Sequence, residues 1–484
     1  MIFNSVQFVL FFIIITCLYF IINHKNRWLL LLAASCYFYM AFVPVYILIL
    51  GFTIVIDYVA GILIENSRGR KKKYYLLFSL VANIGVLFVF KYYNFFNVNL
   101  TFLFEKFSLS NPFPFLKILL PIGLSFHTFQ AMSYTIEVYQ GNLRAEKHFG
   151  FYALYVMFYP QLVAGPIERP QNILPQFRQK QFFKYNRVVL GLKLIAWGLF
   201  KKVVIADRLT IVVDNVFHDL KSYNSLSLFI AIFFFSFQIL IDFSAYSDIA
   251  IGSAKVMGFN LMKNFNNPYL SKNIKEFWSK WHISLSTWFR DYLYIPLGGN
   301  KTRLFRWFLN IFIVFILSGI WHGANWTFLI WGMIHSLYYI VSVLTKKLRL
   351  SILNLFQFLK SDYLNIIFNF LLVTIAWIFF RAQNTSSALY IIKHIFISIT
   401  NLNSSILNGE FSMQYLGLSN IYLFLSILLI IIFQIIEYYI SFRKTYKYFI
   451  SSPFYARWLC YYTLIFGIIF FGILSNKQFI YFQF

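Results

Sequence analysis

Long apolar stretches recur along this chain and limit its fold more than any other feature. Val6–Ile22, Trp28–Val43, Tyr46–Ile64 and Tyr74–Phe90 come first. Further runs lie near 115–136, 150–165, 188–206, 225–243, 307–323, 326–344, 364–380, 421–441 and 457–474. A bilayer-spanning helix needs about 20 such residues. Of the 484 residues, 60% are hydrophobic and 12% charged, against about half and a quarter in a soluble domain. This composition excludes disorder and a soluble monomer. It predicts an all-α polytopic membrane protein with room for about ten to twelve spans. No linker and no solenoid-length repeat interrupts it, so residues 1–484 read as a single domain.

The charges then suggest a topology. Lys and Arg number 42 against 16 Asp and Glu, a balance of +26. In a membrane protein such an excess marks cytoplasmic loops and contact with anionic lipids rather than nucleic acid. The first run has no basic residues before it and no small-residue cleavage site, so it reads as a retained span. Lys25 and Arg27 follow it, and the tract Arg68, Arg70, Lys71, Lys72, Lys73 comes two runs later. Both loops are expected in the cytoplasm, with the N-terminus outside. Arg178–Arg187 and Lys346–Arg349 fall on the same side by this rule, and the polar stretch Asn94–Pro114 outside. Cys17, Cys36 and Cys460 sit singly in apolar stretches, which predicts neither a disulfide framework nor a metal site.

Residues 258–306 break the pattern. Trp278, Trp281 and Trp288 stand there among Lys272, Lys275, Lys280, Arg290, Lys301, Arg303 and Arg306. The segment is too polar to span simply and too aromatic for a free loop. Helical spacing would give Trp278 and His282 one face, and Trp281 and Trp288 another. It reads as interfacial or re-entrant helices lining a cavity, because irregular backbone at membrane depth needs cover from protein or water. Gly298-Gly299 reads as a turn.

Candidate chemistry rests on histidines and acids inside apolar runs, where ionisable groups are costly. His24, His148, His218 and His394 lie in or beside polar connections and read as surface residues; His127 and His335 read as core residues. His322 lies in Leu317-Ser318-Gly319-Ile320-Trp321-His322-Gly323-Ala324-Asn325-Trp326. On a continuous helix Ser318, Gly319, Asn325 and Trp326 share its face, and Asn325 is placed to orient the ring. Desolvation keeps a buried imidazole neutral, as a general base must be; an interhelical hydrogen bond is the competing role. His282, in Trp281-His282-Ile283-Ser284, is a second candidate, with interfacial anchoring as its alternative. Gln238, Asp242, Ser244, Tyr246 and Asp248 close a very apolar run, there to support a histidine, position a substrate, or bridge helices. H-E-x-x-H, a P-loop and a His followed four or five residues later by Asp are all missing from the sequence. These absences exclude a zincin, a P-loop nucleotide site and a glycerolipid acyltransferase box.

Several of these segments together resemble the membrane-bound O-acyltransferase superfamily. They are the Asp242–Asp248 stretch, Asn264-Phe265-Asn266-Asn267-Pro268-Tyr269, Phe277-Trp278-Ser279-Lys280-Trp281-His282-Ile283-Ser284-Leu285-Ser286-Thr287-Trp288, Arg290-Asp291-Tyr292-Leu293-Tyr294-Ile295-Pro296-Leu297-Gly298-Gly299-Asn300 and Gly319-Ile320-Trp321-His322-Gly323-Ala324. Leu120–Phe126, Gly165-Pro166-Ile167-Glu168-Arg169 and the ending Phe479–Phe484 are similar to the bacterial branch of alginate and peptidoglycan O-acetylating enzymes, which includes a teichoic-acid D-alanyl transferase. The resemblance implies about eleven spans and re-entrant helices around a central tunnel. It carries an invariant, catalytic histidine onto His322 and a more variable one onto His282. It also implies acetyl-CoA as a cytoplasmic donor, no bound cofactor, and an acceptor reached from outside.

The resulting expectation is a bacterial inner-membrane O-acetyltransferase acting for an extracytoplasmic polysaccharide, together with a periplasmic esterase-like partner. His322 would be the base. His282 would assist it, and Asp242, Gln238, Ser244, Tyr246, Asp248, Trp281, Arg290 and Asn325 would support it or line the tunnel. Lys275, Lys280 and Arg290 suit a phosphate-bearing donor. His322 stands about 15 residues into its run, about 22 Å along a helix and inside a hydrocarbon core of about 30 Å. D-alanyl transfer from a carrier-protein thioester is an alternative. A transporter with a His–Asp ion path, or a scaffold of an export complex, are alternatives of another class.

Overall fold

The computed structural model describes residues 1–349, 361–410, 412–441, 453–473 and 479–480. Every regular element among them is helical. Eight of the described helices are long and apolar enough to cross a membrane: Tyr46–Glu65, Arg70–Lys106, Ser225–Met257, Leu304–His322, Trp326–Leu344, Asp362–Arg381, Asn420–Tyr439 and Phe454–Phe471. A shorter apolar helix, Val6–Ile21, starts at Ser5, whose hydroxyl accepts from Phe8 N.

The chain divides into two compact units, one built from Met1–Ile195 and Tyr246–Lys263, the other from Ala196–Ala245 and Asn264–Ile480. The long helix Ser225–Met257 gives residues to each.

In the first unit, helices Tyr46–Glu65, Arg70–Leu87 and Leu124–Gln140 pack around a buried carboxylate. Asp57 accepts from Ser79 Oγ at 2.6 Å and from Asn83 Nδ2 at 2.9 and 2.8 Å; Ser79 Oγ also lies 3.1 Å from Thr135 Oγ1. Inside a membrane such a group must find partners on neighbouring helices. The polar stretch from Asn94 stays helical to Lys106. Its asparagines turn inward to hold an extended strand of chain: Asn94 Nδ2 donates to Leu116 O and Asn94 Oδ1 accepts from Leu116 N, at 2.8 and 3.0 Å. Asn97 Nδ2 donates to Phe113 O. One expectation needs correction: the run at 150–165 yields only a nine-residue helix, Phe149–Met157, because Phe158 leaves the helical conformation and turns follow from Tyr159. About 14 Å of helix does not cross a bilayer.

The second unit is organised by a helical hairpin, Leu304–His322 and Trp326–Leu344. Two glycines set its spacing. A Cβ on Gly319 would stand 2.3 Å from the carbonyl oxygen of Phe328, and one on Gly332 would stand 2.4 Å from that of Phe315. Small residues of this kind allow close backbone approach where hydrophobic burial gives no net drive between helices. Residues 264–294 lie against the hairpin as short helices, Ile274–Lys280 and Ile283–Phe289, followed by a π-helical turn, Arg290–Tyr294. Trp307 Nε1 donates to Tyr294 OH, and Asn310 Nδ2 to Leu297 O and Gly299 O in the Gly298-Gly299 turn.

Candidate active site

His322 is the last residue of its helix. The continuous helix expected through Trp326 does not form. Gly323 is extended, and Asn325 is the N-cap of the next helix, its Oδ1 accepting from Thr327 N at 3.1 Å. Asn325 Nδ2 donates to Gln383 O. Asn325 therefore shapes the hairpin corner through its helix cap, which is a correction to the role of orienting the imidazole. The local reason is that a side chain able to cap competes with helix continuation. His322 stands about 27 Å from Leu304 along the axis, at the closed end of the hairpin rather than part-way along a span. It is 4% exposed. Trp321, Trp331 and Phe380 meet its ring edge-on at 4.9, 5.1 and 5.1 Å.

His282 enters the same cluster from the short helices. The helix carrying Trp278 stops at Lys280, Trp281 is extended, and His282 adopts φ 41° and ψ 56°. Trp278 and His282 thus share no helical face, against expectation. A left-handed conformation is uncommon outside glycine and persists only where the surroundings fix it. Asn264 does this: its carbonyl accepts from Ile283 N at 2.8 Å and its Oδ1 from Ser284 Oγ at 2.6 Å. The imidazole is fully buried, 4.6 Å from Phe243 and 6.0 Å from Trp321 between ring centroids. Burial lowers its pKa to about 3, leaving it neutral. Trp281, buried at 1% exposure, packs on Trp377 and Phe265. Trp321 touches both histidine rings, so one aromatic cluster holds the two candidates.

The other residues take varied places. Asp242 lies beside Phe243 but pairs with Lys202 Nζ at 2.7 Å. Ser244 Oγ accepts from Lys201 Nζ at 2.9 Å, and Gln238 Nε2 donates to Thr210 Oγ1. Arg290 is exposed and pairs with Asp291 at 2.7 Å. Tyr246 and Asp248 belong to the first unit, where the Tyr246 ring meets Phe3 at 4.6 Å. The residues that sequence reading passed over are Lys201 and Lys202, both 1% exposed. Two adjacent lysines inside the apolar run 188–206 were the available signal. Among the described residues, no three His, Cys, Asp or Glu come together as a metal-binding group.

The model of the MBOAT, membrane-bound O-acyltransferase, family matches residues 16–389. The chain belongs to the membrane-bound O-acyltransferase family. It is 36% identical over 397 residues to a peptidoglycan O-acetyltransferase of Helicobacter pylori, covering 76% of this chain and 72% of the relative. It is 35% identical over 450 residues to a probable alginate O-acetylase of Pseudomonas putida, covering 92% and 90%. A teichoic acid D-alanyltransferase of Bacillus subtilis is 29% identical over 226 residues, covering 44% and 57%. This membrane-bound O-acyltransferase is thus a multi-pass membrane protein and an acyl-transferring enzyme. Tyr481–Phe484, part of the ending singled out in the sequence, lie outside the described residues.

Proposed function

We propose that the protein is an O-acetyltransferase of the bacterial inner membrane that moves acetyl groups from a cytoplasmic thioester, acetyl-CoA, toward an extracytoplasmic polysaccharide. The observation that carries this reading is the convergence of His322 and His282 in one buried aromatic cluster. Polysaccharide as the final acceptor is supported by relatives named for O-acetylation of peptidoglycan and alginate, which align over most of the chain. The D-alanyltransferase match spans less than half of it, so acetyl is preferred over D-alanyl. A periplasmic esterase-like partner completes delivery to sugar in this scheme.

His322 takes the proton of the attacking hydroxyl as its oxygen bonds to the thioester carbonyl carbon. The C–S bond then breaks, and the imidazolium returns the proton to the departing thiolate. Aromatic walls exclude water, which would otherwise hydrolyse the thioester and screen the charge developing at the carbonyl. His282, neutral and fixed by its backbone, is a second polar group close to this event.

The test is His322→Ala, read as glycan acetylation in cells, with the purified protein checked for monodispersity and thermal unfolding. A folded variant should lose about 10²–10⁴-fold in activity, the usual contribution of a general base. Near-normal acetylation by a well-folded variant would remove His322 from the mechanism.

A further inference from the structure

The unit that carries both histidines also contains a buried charge cluster that the proposed chemistry does not use. Lys202 Nζ lies 2.7 Å from Asp242 Oδ1 and 2.9 Å from Asp207 Oδ1, and no side chain of the three is more than 4% exposed. Withdrawing such charges from water is costly, so the geometry must return a specific benefit. What the cluster holds is a distant segment of the chain. Asp242 Oδ2 accepts from the backbone N–H of Ile480 at 2.6 Å, and Lys202 Nζ sits 4.4 Å from the centroid of the Phe479 ring. Phe479 and Ile480 are both buried.

The same stretch of chain grips residues just earlier. A π-helical turn spans Lys201–Ala206, and the Val203 carbonyl accepts from Ile473 N at 2.8 Å. Arg208 Nη2 donates to Phe471 O at 2.6 Å. π-Helical turns free backbone carbonyls in this way and recur at functional sites. The residue after Asp242 is Phe243, whose ring is in contact with His282.

We infer that Lys202 is a positioning residue for acyl transfer: with Asp242 it clamps Phe479-Ile480 onto the helix face next to Phe243, completing the wall of the histidine cluster. The inference rests on the acyltransferase reading above. Loss of Lys202 would remove the cation that Asp242 and Asp207 share, and the clamp would open.

The experiment uses full-length protein with Cys17, Cys36 and Cys460 replaced by Ser and with Ile480→Cys as reporter. Two readouts are taken: reaction of Cys at that position with N-ethylmaleimide in solubilised protein, and acetyl-CoA-dependent thiol release by membranes. With Lys202 present the reporter should be protected. Lys202→Met should expose it and lower kcat by about 10²-fold, the scale of a small misplacement at a reaction centre, with the KM for acetyl-CoA unchanged. Lys202→Arg should restore protection and kcat together. A protected reporter in Lys202→Met, or full kcat with the reporter exposed, overturns the inference. If Lys202→Met is not monodisperse, Ile480→Pro decides, because it removes the clamped N–H while leaving Lys202 and Asp242 in place: lowered kcat at an unchanged unfolding temperature supports the clamp, and full kcat overturns it. Absence of thiol release from the wild type would count against the acyltransferase reading instead, and the maleimide readout would still judge the clamp.

Discussion

Two buried polar regions of this protein are built on opposite plans. Around Asp57 in the first unit, hydroxyl and amide groups of Ser79 and Asn83 answer the carboxylate directly. Around His322 and His282 in the second unit, the neighbours are rings: Trp321, Trp331, Phe380 and Phe243. The first plan fastens helices, since a satisfied buried group resists separation of its partners. The second walls the imidazoles off from water with aromatic rings, which fastens little but suits proton transfer. Burial of an ionisable residue therefore does not by itself mark a catalyst; what surrounds it does.

The largest expected effect sets these plans against each other. His322→Ala should remove about 10²–10⁴-fold of activity while the unfolding temperature stays near wild type. Asp57→Ala should do the reverse, keeping activity per folded molecule. Comparable activity losses in both variants would erase the distinction.

Next in size is the hairpin. Gly332→Leu would drive a side chain into the Phe315 carbonyl region, at a cost of about 1–3 kcal/mol for overpacking. Because the hairpin carries His322, activity should fall with stability, as seen by thermal unfolding and acetylation of the same preparation. A stable, inactive Gly332→Leu protein would mean that the glycine serves chemistry rather than spacing.

Asp57→Ala itself should lower stability by about 1–3 kcal/mol, the penalty for buried donors left without an acceptor. Asn83→Ala in the same background should then cost little more, because the two changes share one interaction. Additive losses would show that the cluster does not act as a unit.

The smallest effect is a pH dependence. The folded pKa of His282 is depressed to about 3, against about 6.5 for a free imidazole. The unfolded chain therefore binds a proton first, and this group's contribution is present above pH 6.5 and lost as pH falls toward 3. Between pH 7 and pH 5.5 it should amount to about 1 kcal/mol. His282→Gln should flatten that part of the profile, and equal slopes in both proteins would contradict a buried neutral ring.

Much of the fold was legible because membrane insertion is decided locally. A run such as Tyr46–Ile64 or 326–344 carries its own instruction, and helices stand at Tyr46–Glu65 and Trp326–Leu344. The two histidines were singled out through intramembrane cost and a resemblance spanning several motifs, and the structure buries both. Periodicity failed where a single side chain chose between helix and cap. Asn325 looked like a helical neighbour of His322 and instead starts a new helix. His282 looked helical with Trp278, but its left-handed backbone is imposed by Asn264, 18 positions away.

The sequence alone determined that this protein lives in a membrane, that its charges crowd into short basic tracts, and that two histidines lie in segments able to bury them. Those properties depend on residue type and near neighbours, within the few positions that a helical turn connects. Only the tertiary structure decided which partner each buried charge received. Lys202 meets Asp242 across 40 positions, and Asp242 meets Ile480 across 238. No periodicity reaches that far: such pairs form because an unpaired charge in an apolar interior is too costly to leave, and the packed helices determine which opposite charge is near enough to answer it.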